Sequence, residues 1–334
     1  MSGIELSRRA VLALGGTVGS AGAVAGLLWN QSHQTPTLGA DAYTASTAPA
    51  GSSPLLLANI DRKEPAQTAT SVLYEILSSR EFEAIPKAVR GMFNSSETAM
   101  DVENVGKIVY FGSEADSRAS GVVIWADWQA DKPANILKKE SNMTVHSDTL
   151  HNQRIYTSGS TSAAILGDAV FVFGSTAVVE DTLGVWHGTG QPETGATLDA
   201  FSRTPSQAAI RFTFDSLQFN CNRLASGYSE AYETIKQGYG SVSESGTEFT
   251  LRFRVSTDGS AREVAAALQA DLKEASERSE ETNRRDASPK VVSQVSVSHE
   301  ADTVSLLYRP VTNEHQSHAG DVLKDAVCLT GLSD

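Results

Sequence analysis

The chain has 334 residues and a formal net charge of −13, from 27 Lys and Arg against 40 Asp and Glu. That balance, with no basic tract or arginine stripe, argues against nucleic acid as a partner and against docking on anionic lipid heads. The two cysteines, Cys221 and Cys328, lie far apart and lack metal-type spacing.

The first element in chain order is Ser7-Arg8-Arg9-Ala10-Val11-Leu12, which leads into an uncharged run over residues 10–29. Adjacent arginines before a moderately apolar run resemble a twin-arginine export signal. Ser7, Arg8, Arg9 and Leu12 occupy the positions of that pattern, and Val11 stands where Phe is commoner. The resemblance implies the twin-arginine translocase as a partner during export, and a chain that folds before it crosses. Two fates fit the run. About 20 helical residues cover a hydrocarbon core of ~30 Å, so the run can stay as a membrane helix, with Arg8 and Arg9 inside and Trp29 at the outer interface. Ala21-Gly22-Ala23 and Ala23-Val24-Ala25 equally offer the small-x-small pattern that a signal peptidase reads. No cysteine follows the run, which excludes a lipobox anchor. The expected location is outside the cell: anchored and facing outward, or secreted if the signal is cut.

Residues 30–54 are mostly Gln, Ser, Thr, Ala, Gly and Pro with almost no charge and no apolar periodicity, the composition of a flexible stalk. A stalk fits an anchor better than a removed leader. Beyond it, residues 55–200 and 201–334 have the size of two ordinary domains.

Two helical segments near 66–93 come first. Residues 107–112 and 121–128 then read as a strand pair. Residues 131–140 read as a short helix with Pro133 tolerated in its first turn. Strands follow at about 154–158, 162–166 and 169–173, with Gly167-Asp168 as the turn between the last two. Gly174-Ser175 opens a helix to about Trp186, and a strand follows at 208–215. Phe249, Leu251, Phe253 and Val255 alternate with polar residues, as in a strand with one buried face. Ser260-Ala261-Arg262-Glu263 reads as a capping box, opening a helix to about Arg278 with Val264, Leu268, Leu272 and Ala275 on one stripe. Residues 291–299 and 303–309 read as a hairpin around Glu300-Ala301-Asp302. The order β-β-α-β-β thus recurs near 105–186 and 238–309. The expected fold is α+β: antiparallel sheets with helices on one face, in duplicated units.

The run Ala163-Ala164-Ile165-Leu166-Gly167-Asp168-Ala169-Val170-Phe171-Val172-Phe173-Gly174-Ser175, with Val178-Val179-Glu180-Asp181-Thr182-Leu183 behind it, resembles a family of exported prokaryotic proteins of unknown function, many of them haloarchaeal. The likeness extends loosely over residues 55–310. It implies antiparallel sheets with helices packed on one face and carries no catalytic residue. An excess of arginine over lysine and scattered acidic residues fit the same haloarchaeal style.

Local catalytic motifs are absent from the sequence. Ser158-Gly159-Ser160-Thr161-Ser162 reads as a turn and lacks a nucleophile elbow. Gly188-Thr189-Gly190 lacks the third glycine of a dinucleotide fingerprint. Glu314-His315-Gln316-Ser317-His318 with Asp321 is the best metal candidate, since imidazoles three apart can share a helical face. The competing reading is a solvated polar loop. His146 and His151 flank a polar turn, and His187 ends a helix where a cation suits the dipole. Trp125 and Trp128 point to opposite faces, so both are buried only if the sheet is covered on both sides. Outside the cell, Cys221 and Cys328 could form a disulfide worth roughly 4–5 kcal/mol in the chain-entropy model; two buried free thiols are the alternative. Asn30, Asn94 and Asn142 stand in N-glycosylation sequons. The expected function is a surface protein with a binding or structural role, without enzymatic activity or cofactor. The alternative is a secreted hydrolase or metal-dependent enzyme whose site is assembled from loops.

Overall fold

The computed structural model describes residues 47–52, 55–59, 105–112, 120–141, 144–167, 169–215, 229–243, 245, 248–282 and 294–309. In chain order they form β1 (Leu55–Asn59), β2 (Val105–Phe111), β3 (Gly121–Ala126), α1 (Lys132–Ser141), β4 (His146–Leu150), β5 (Gln153–Ser158), β6 (Thr161–Gly167) and β7 (Val170–Ser175). Then come α2 (Thr176–Trp186), α3 (Ala196–Ser202), β8 (Ile210–Asp215), α4 (Ser229–Tyr232), β9 (Ile235–Val242), β10 (Phe249–Val255), α5 (Asp258–Thr282), β11 (Val295–Glu300) and β12 (Thr303–Tyr308). The class is α+β. All the strands join one 12-stranded sheet in the order β11-β12-β10-β9-β8-β1-β2-β3-β7-β6-β5-β4. Every described pairing is antiparallel.

The connections place the edges. β1, β2 and β3 form a meander, α1 crosses to the far edge, and β4 to β7 meander back until β7 pairs with β3. β8, β9 and β10 form a second meander, α5 crosses, and β11 and β12 return until β12 pairs with β10. β1 and β8 lie side by side at the centre, so the sheet is continuous through both of the predicted domain segments.

Helices cover both faces, which corrects the expectation of one covered face. On the first face, Ile136 and Leu137 of α1, Tyr232 of α4, and Val264 and Leu268 of α5 pack on Ile108, Ile124, Phe171 and Leu251. On the second face, Val178, Val179 and Leu183 of α2 and Phe201 of α3 pack on Leu57, Val109, Val123 and Val172. The cause is in the strands. β2 and β3 are buried at every position, and β7 at all but its last, so apolar side chains project both ways and each face needs a cover. Trp125 is accordingly buried on the second face and Trp128 on the first, where its ring lies 5.3 Å from that of Phe171. Each such large side chain contributes about 1.5–3 kcal/mol.

Several boundaries differ from the sequence reading. β4 was unforeseen because all five of its residues are polar or exposed to some degree, with no alternation. Gly167, expected in the turn between β6 and β7, is the last residue of β6 and pairs with Val170 after a bulge; Asp168 lies outside the described residues. α5 starts earlier than Ser260. Thr257 is its cap, its hydroxyl accepting from the Ser260 amide at 3.1 Å, and the helix runs to Thr282. Where α5 meets α4, Tyr232 donates to the buried Asp271 carboxylate at 2.5 Å. At the far end of β12, burial pushes the Tyr308 phenol up to about 12. The predicted helices near 66–93 lie outside the described residues.

Residues 47–52, expected to belong to the stalk, are docked on the fold. Ala50 donates to the Gln191 carbonyl and Glu193 to that of Ala48, both at 2.9 Å, and the Ser52 amide donates to the Glu193 carboxylate at 2.9 Å. Thr47 and Ala48 are fully buried. A composition without charge or periodicity still carries backbone donors and acceptors, and these are paired here.

The β11–β12 hairpin turns on Ala301 and Asp302, and Ala301 stands at φ 50°. An L side chain in that region costs about 1–2 kcal/mol. Ala301→Gly is therefore expected to stabilise the protein by about 0.5–1 kcal/mol after deducting glycine's extra freedom in the unfolded chain. The urea midpoint should rise, and an unchanged midpoint would show that the turn is not strained.

Candidate binding surface

The second face changes character at β8. One register row runs Ser296, Leu307, Thr250, Ser241, Arg211, Leu57, Val109, Val123, Val172, Ala164, Ile155 and Asp148 from edge to edge. From Leu57 to Ile155 it is apolar and buried beneath α2. From β10 outward the same face is hydroxyl-rich and only partly covered: Thr250, Arg252 and Ser305 are half-buried, while Ser296, Ser298, Glu300 and Arg254 are exposed, Arg254 donating to the Asp302 carboxylate at 3.3 Å.

Arg211 marks the boundary. It is 1% exposed. Its Nε donates to the Thr204 hydroxyl at 2.7 Å, a terminal nitrogen donates to the Phe201 carbonyl at 2.9 Å, and the guanidinium lies 4.2 Å from the Phe201 ring centroid. These contacts tie β8 to the end of α3. Close by, Gln237 donates to the Ala196 carbonyl at 2.8 Å. Lys107 is a second buried cation, its Nζ 4.8 Å from the Trp125 ring centroid; strand alternation sets it on the second face with Val109 and Phe111, and the bulge in β2 turns Val105 to the first. A lone Lys or Arg in a strand reads as surface charge, so neither could be singled out from the sequence.

Outside this layer, the β4–β5 turn consists of His151 (φ 52°) and Asn152 (φ 64°), and two successive left-handed residues match a type I′ turn. Its tip lies against the end of α2, with the His151 and His187 rings stacked at 5.1 Å and 28°. His187 is the C-cap of α2. Gly188 then takes φ 71°, its amide donates to the Val185 carbonyl at 3.0 Å, and the Thr189 amide donates to that of Gly184 at 2.8 Å. This is a Schellman closure, so the amides of the Gly188-Thr189-Gly190 loop face back to the helix rather than out to a phosphate.

His187 differs from the expectation of a cation suited to the helix dipole. Burial, and after it the charge of His151, lower its pKa from the ordinary histidine value. Its Nε2 is buried without a hydrogen-bond partner among the described residues. A histidine with a depressed folded pKa contributes stability that is present above the unfolded pKa of ~6.5 and is lost as pH falls through the folded value. Melting temperature should therefore drop more steeply between roughly pH 7 and 5 in the native chain than in His187→Phe, which keeps the stack but cannot take a proton. Parallel profiles would show that His187 titrates normally.

Ser7, Arg8, Arg9, Leu12, Asn30, Asn94, Asn142, Cys221, His315, His318, Asp321 and Cys328 all lie outside the described residues. Among the described residues, no three His, Cys, Asp or Glu side chains converge as a metal site, and no helix is long and apolar enough to cross a membrane. Ser162 of the Ser/Thr turn shares hydrogen bonds with the Thr157 and Thr176 hydroxyls at 3.0 and 2.9 Å, partners that do not activate a nucleophile.

The class is thus an α+β protein on one antiparallel sheet, covered on both faces in its centre and partly bare on one face at the β11 end. Solved structures of the Treponema protein TP0453 are similar to it. Crystal form I matches with a TM-score of 0.46 and 10% identity, over 84% of this chain and 97% of that chain. Crystal form III matches with a TM-score of 0.44 and 9% identity, over 84% and 98%. No protein-family model and no curated protein matches the sequence.

Proposed function

We propose that the chain is an exported or membrane-tethered surface protein with a binding or structural role, and that it is not an enzyme. The observation that carries the binding role is the partly bare second face of β10, β12 and β11. A sheet face rich in hydroxyls, with the Arg252 guanidinium among them, suits recognition of polar groups. Ser7-Arg8-Arg9 and the run behind it support export through the twin-arginine translocase, and residues 10–29 support attachment. The two meander-helix-return segments support a duplicated unit, and the acidic, arginine-preferring composition supports a haloarchaeal relationship.

Protease treatment of intact cells tests the location. Degradation of the sheet domain in unbroken cells, with protection and cytoplasmic retention of an Arg8→Lys, Arg9→Lys variant, is the expected result. A native chain found wholly inside would overturn the proposal. Crosslinking on intact cells followed by mass spectrometry tests the binding role, with Arg252→Glu expected to remove the captured partner. The enzymatic alternative rests on His315, His318 and Asp321. Metal bound stoichiometrically to the native protein and missing from a His315→Ala, His318→Ala variant would favour it. The same mass spectra report the proposed Cys221–Cys328 disulfide and glycans on Asn30, Asn94 and Asn142.

A further inference from the structure

We propose that two copies of this chain join edge to edge through β11, across a two-fold axis normal to the sheet, to make one continuous antiparallel sheet. An open sheet has two edges, here β4 and β11, and among the described residues no strand pairs with the outer side of either. The two edges are built differently.

In an antiparallel hairpin with a two-residue turn, the residues flanking the turn exchange hydrogen bonds, and the alternate residues point their backbone groups outward. On β4 the outward amides belong to Ser147 and Thr149, because Leu150 pairs with Gln153 next to the turn. The Thr149 amide is already occupied by the Asp148 carboxylate at 2.7 Å. A side chain that closes an outward donor, on a strand exposed along nearly its whole length, is a device that blunts an edge.

Among the described residues β11 carries no such block. Glu300 pairs with Thr303 next to its turn, so the outward groups belong to Val295, Val297 and His299. The Val295 and Val297 side chains are only partly buried, against the core under α5. The strand contains no Pro or Lys, and Glu300 at its end is its only carboxylate.

The sequence of β11 is self-complementary about Val297. A two-fold at that residue sets Val297 opposite Val297 of the second copy, Val295 opposite His299, and Ser296 opposite Ser298. Apolar residues stay on the core side and hydroxyls on the other. The two Glu300 carboxylates fall six residues apart along the strands, about 20 Å at ~3.3 Å per residue, beyond the reach of their repulsion at physiological salt. The symmetry closes the assembly at two copies, and the block on β4 disfavours the head-to-tail alternative, which would grow into a filament.

Sedimentation of the full chain in mild detergent, over ~1 to ~100 µM, tests this. The native chain is expected to pass from monomer to dimer in that range. Val297→Pro removes an outward amide that β12 does not use, and Val297→Lys sets two ammonium groups opposite each other. Each should weaken dimerisation at least tenfold, while Thr149→Pro on the other edge should leave it unchanged. Mixing Val297→Lys with Val297→Glu should restore a dimer that neither variant forms alone. A native chain monomeric throughout, equal loss in Thr149→Pro, or no recovery in the mixture would overturn the proposal.

Discussion

Gly240→Ala is expected to destabilise the protein by about 3 kcal/mol or more, near the upper end for a single added methyl in a core. Gly240 and Gly238 of β9 lie on the first face beneath two phenyl rings of β8. The Phe212 and Phe214 rings are nearly parallel, with centroids 6.3 Å apart, and Phe212 stacks on Phe249 at 6.0 Å. A Cβ at Gly240 would fall far inside contact distance of both the Phe212 ring and the Thr250 carbonyl, whereas the three atoms nearest to one at Gly238 all belong to the Phe214 ring. This difference makes the prediction sharp. Phe214→Leu should relieve part of the cost of Gly238→Ala, because a side chain can be shortened. Phe212→Leu should relieve little of the cost of Gly240→Ala, because the Thr250 carbonyl belongs to the neighbouring strand. Urea denaturation of the four single and two double variants measures both couplings. Equal relief at the two sites would show that the backbone contact is not limiting.

Arg211→Met should destabilise by about 2–4 kcal/mol. It retains much of the side-chain volume but loses two hydrogen bonds donated by the charged guanidinium and the stack on Phe201. Arg211→Lys should recover less than half of that, since an ammonium lacks the planar fork that reaches Thr204 and Phe201 together. The loss should also loosen α3. Hydrogen exchange over residues 196–204 is expected to quicken in both variants, and unchanged protection there would separate Arg211 from α3.

What the sequence disclosed followed local chemistry. The alternation of Phe249, Leu251, Phe253 and Val255 gave β10 its face and bounds, and its burial alternates as expected. Ser175 before Thr176 gave the start of α2, where its hydroxyl accepts from the Val178 amide. Thr257 and Ser260 are both good caps only three residues apart, so spacing alone could not choose between them. α3 has only seven residues, and its N-cap, Gly195, offers no side chain to cap it. β1 is five residues long, and its central place comes wholly from pairing with two distant strands. The candidate surface was less legible still. The stack of His151 on His187 joins a turn to a helix end, and the burial of Arg211 depends on α3. Neither leaves a local signature, because both are contacts between elements and not within them.

The docking of residues 47–52 has a mechanical consequence. Tension arriving from the N-terminal side meets the Ala48–Glu193 and Ala50–Gln191 bonds before it reaches β1. β1 is the strand that joins β8 to β2, and stripping it out would divide the sheet into a five-stranded and a six-stranded part. The short clip at 191–193 is therefore placed ahead of the strand in the path of any such pull.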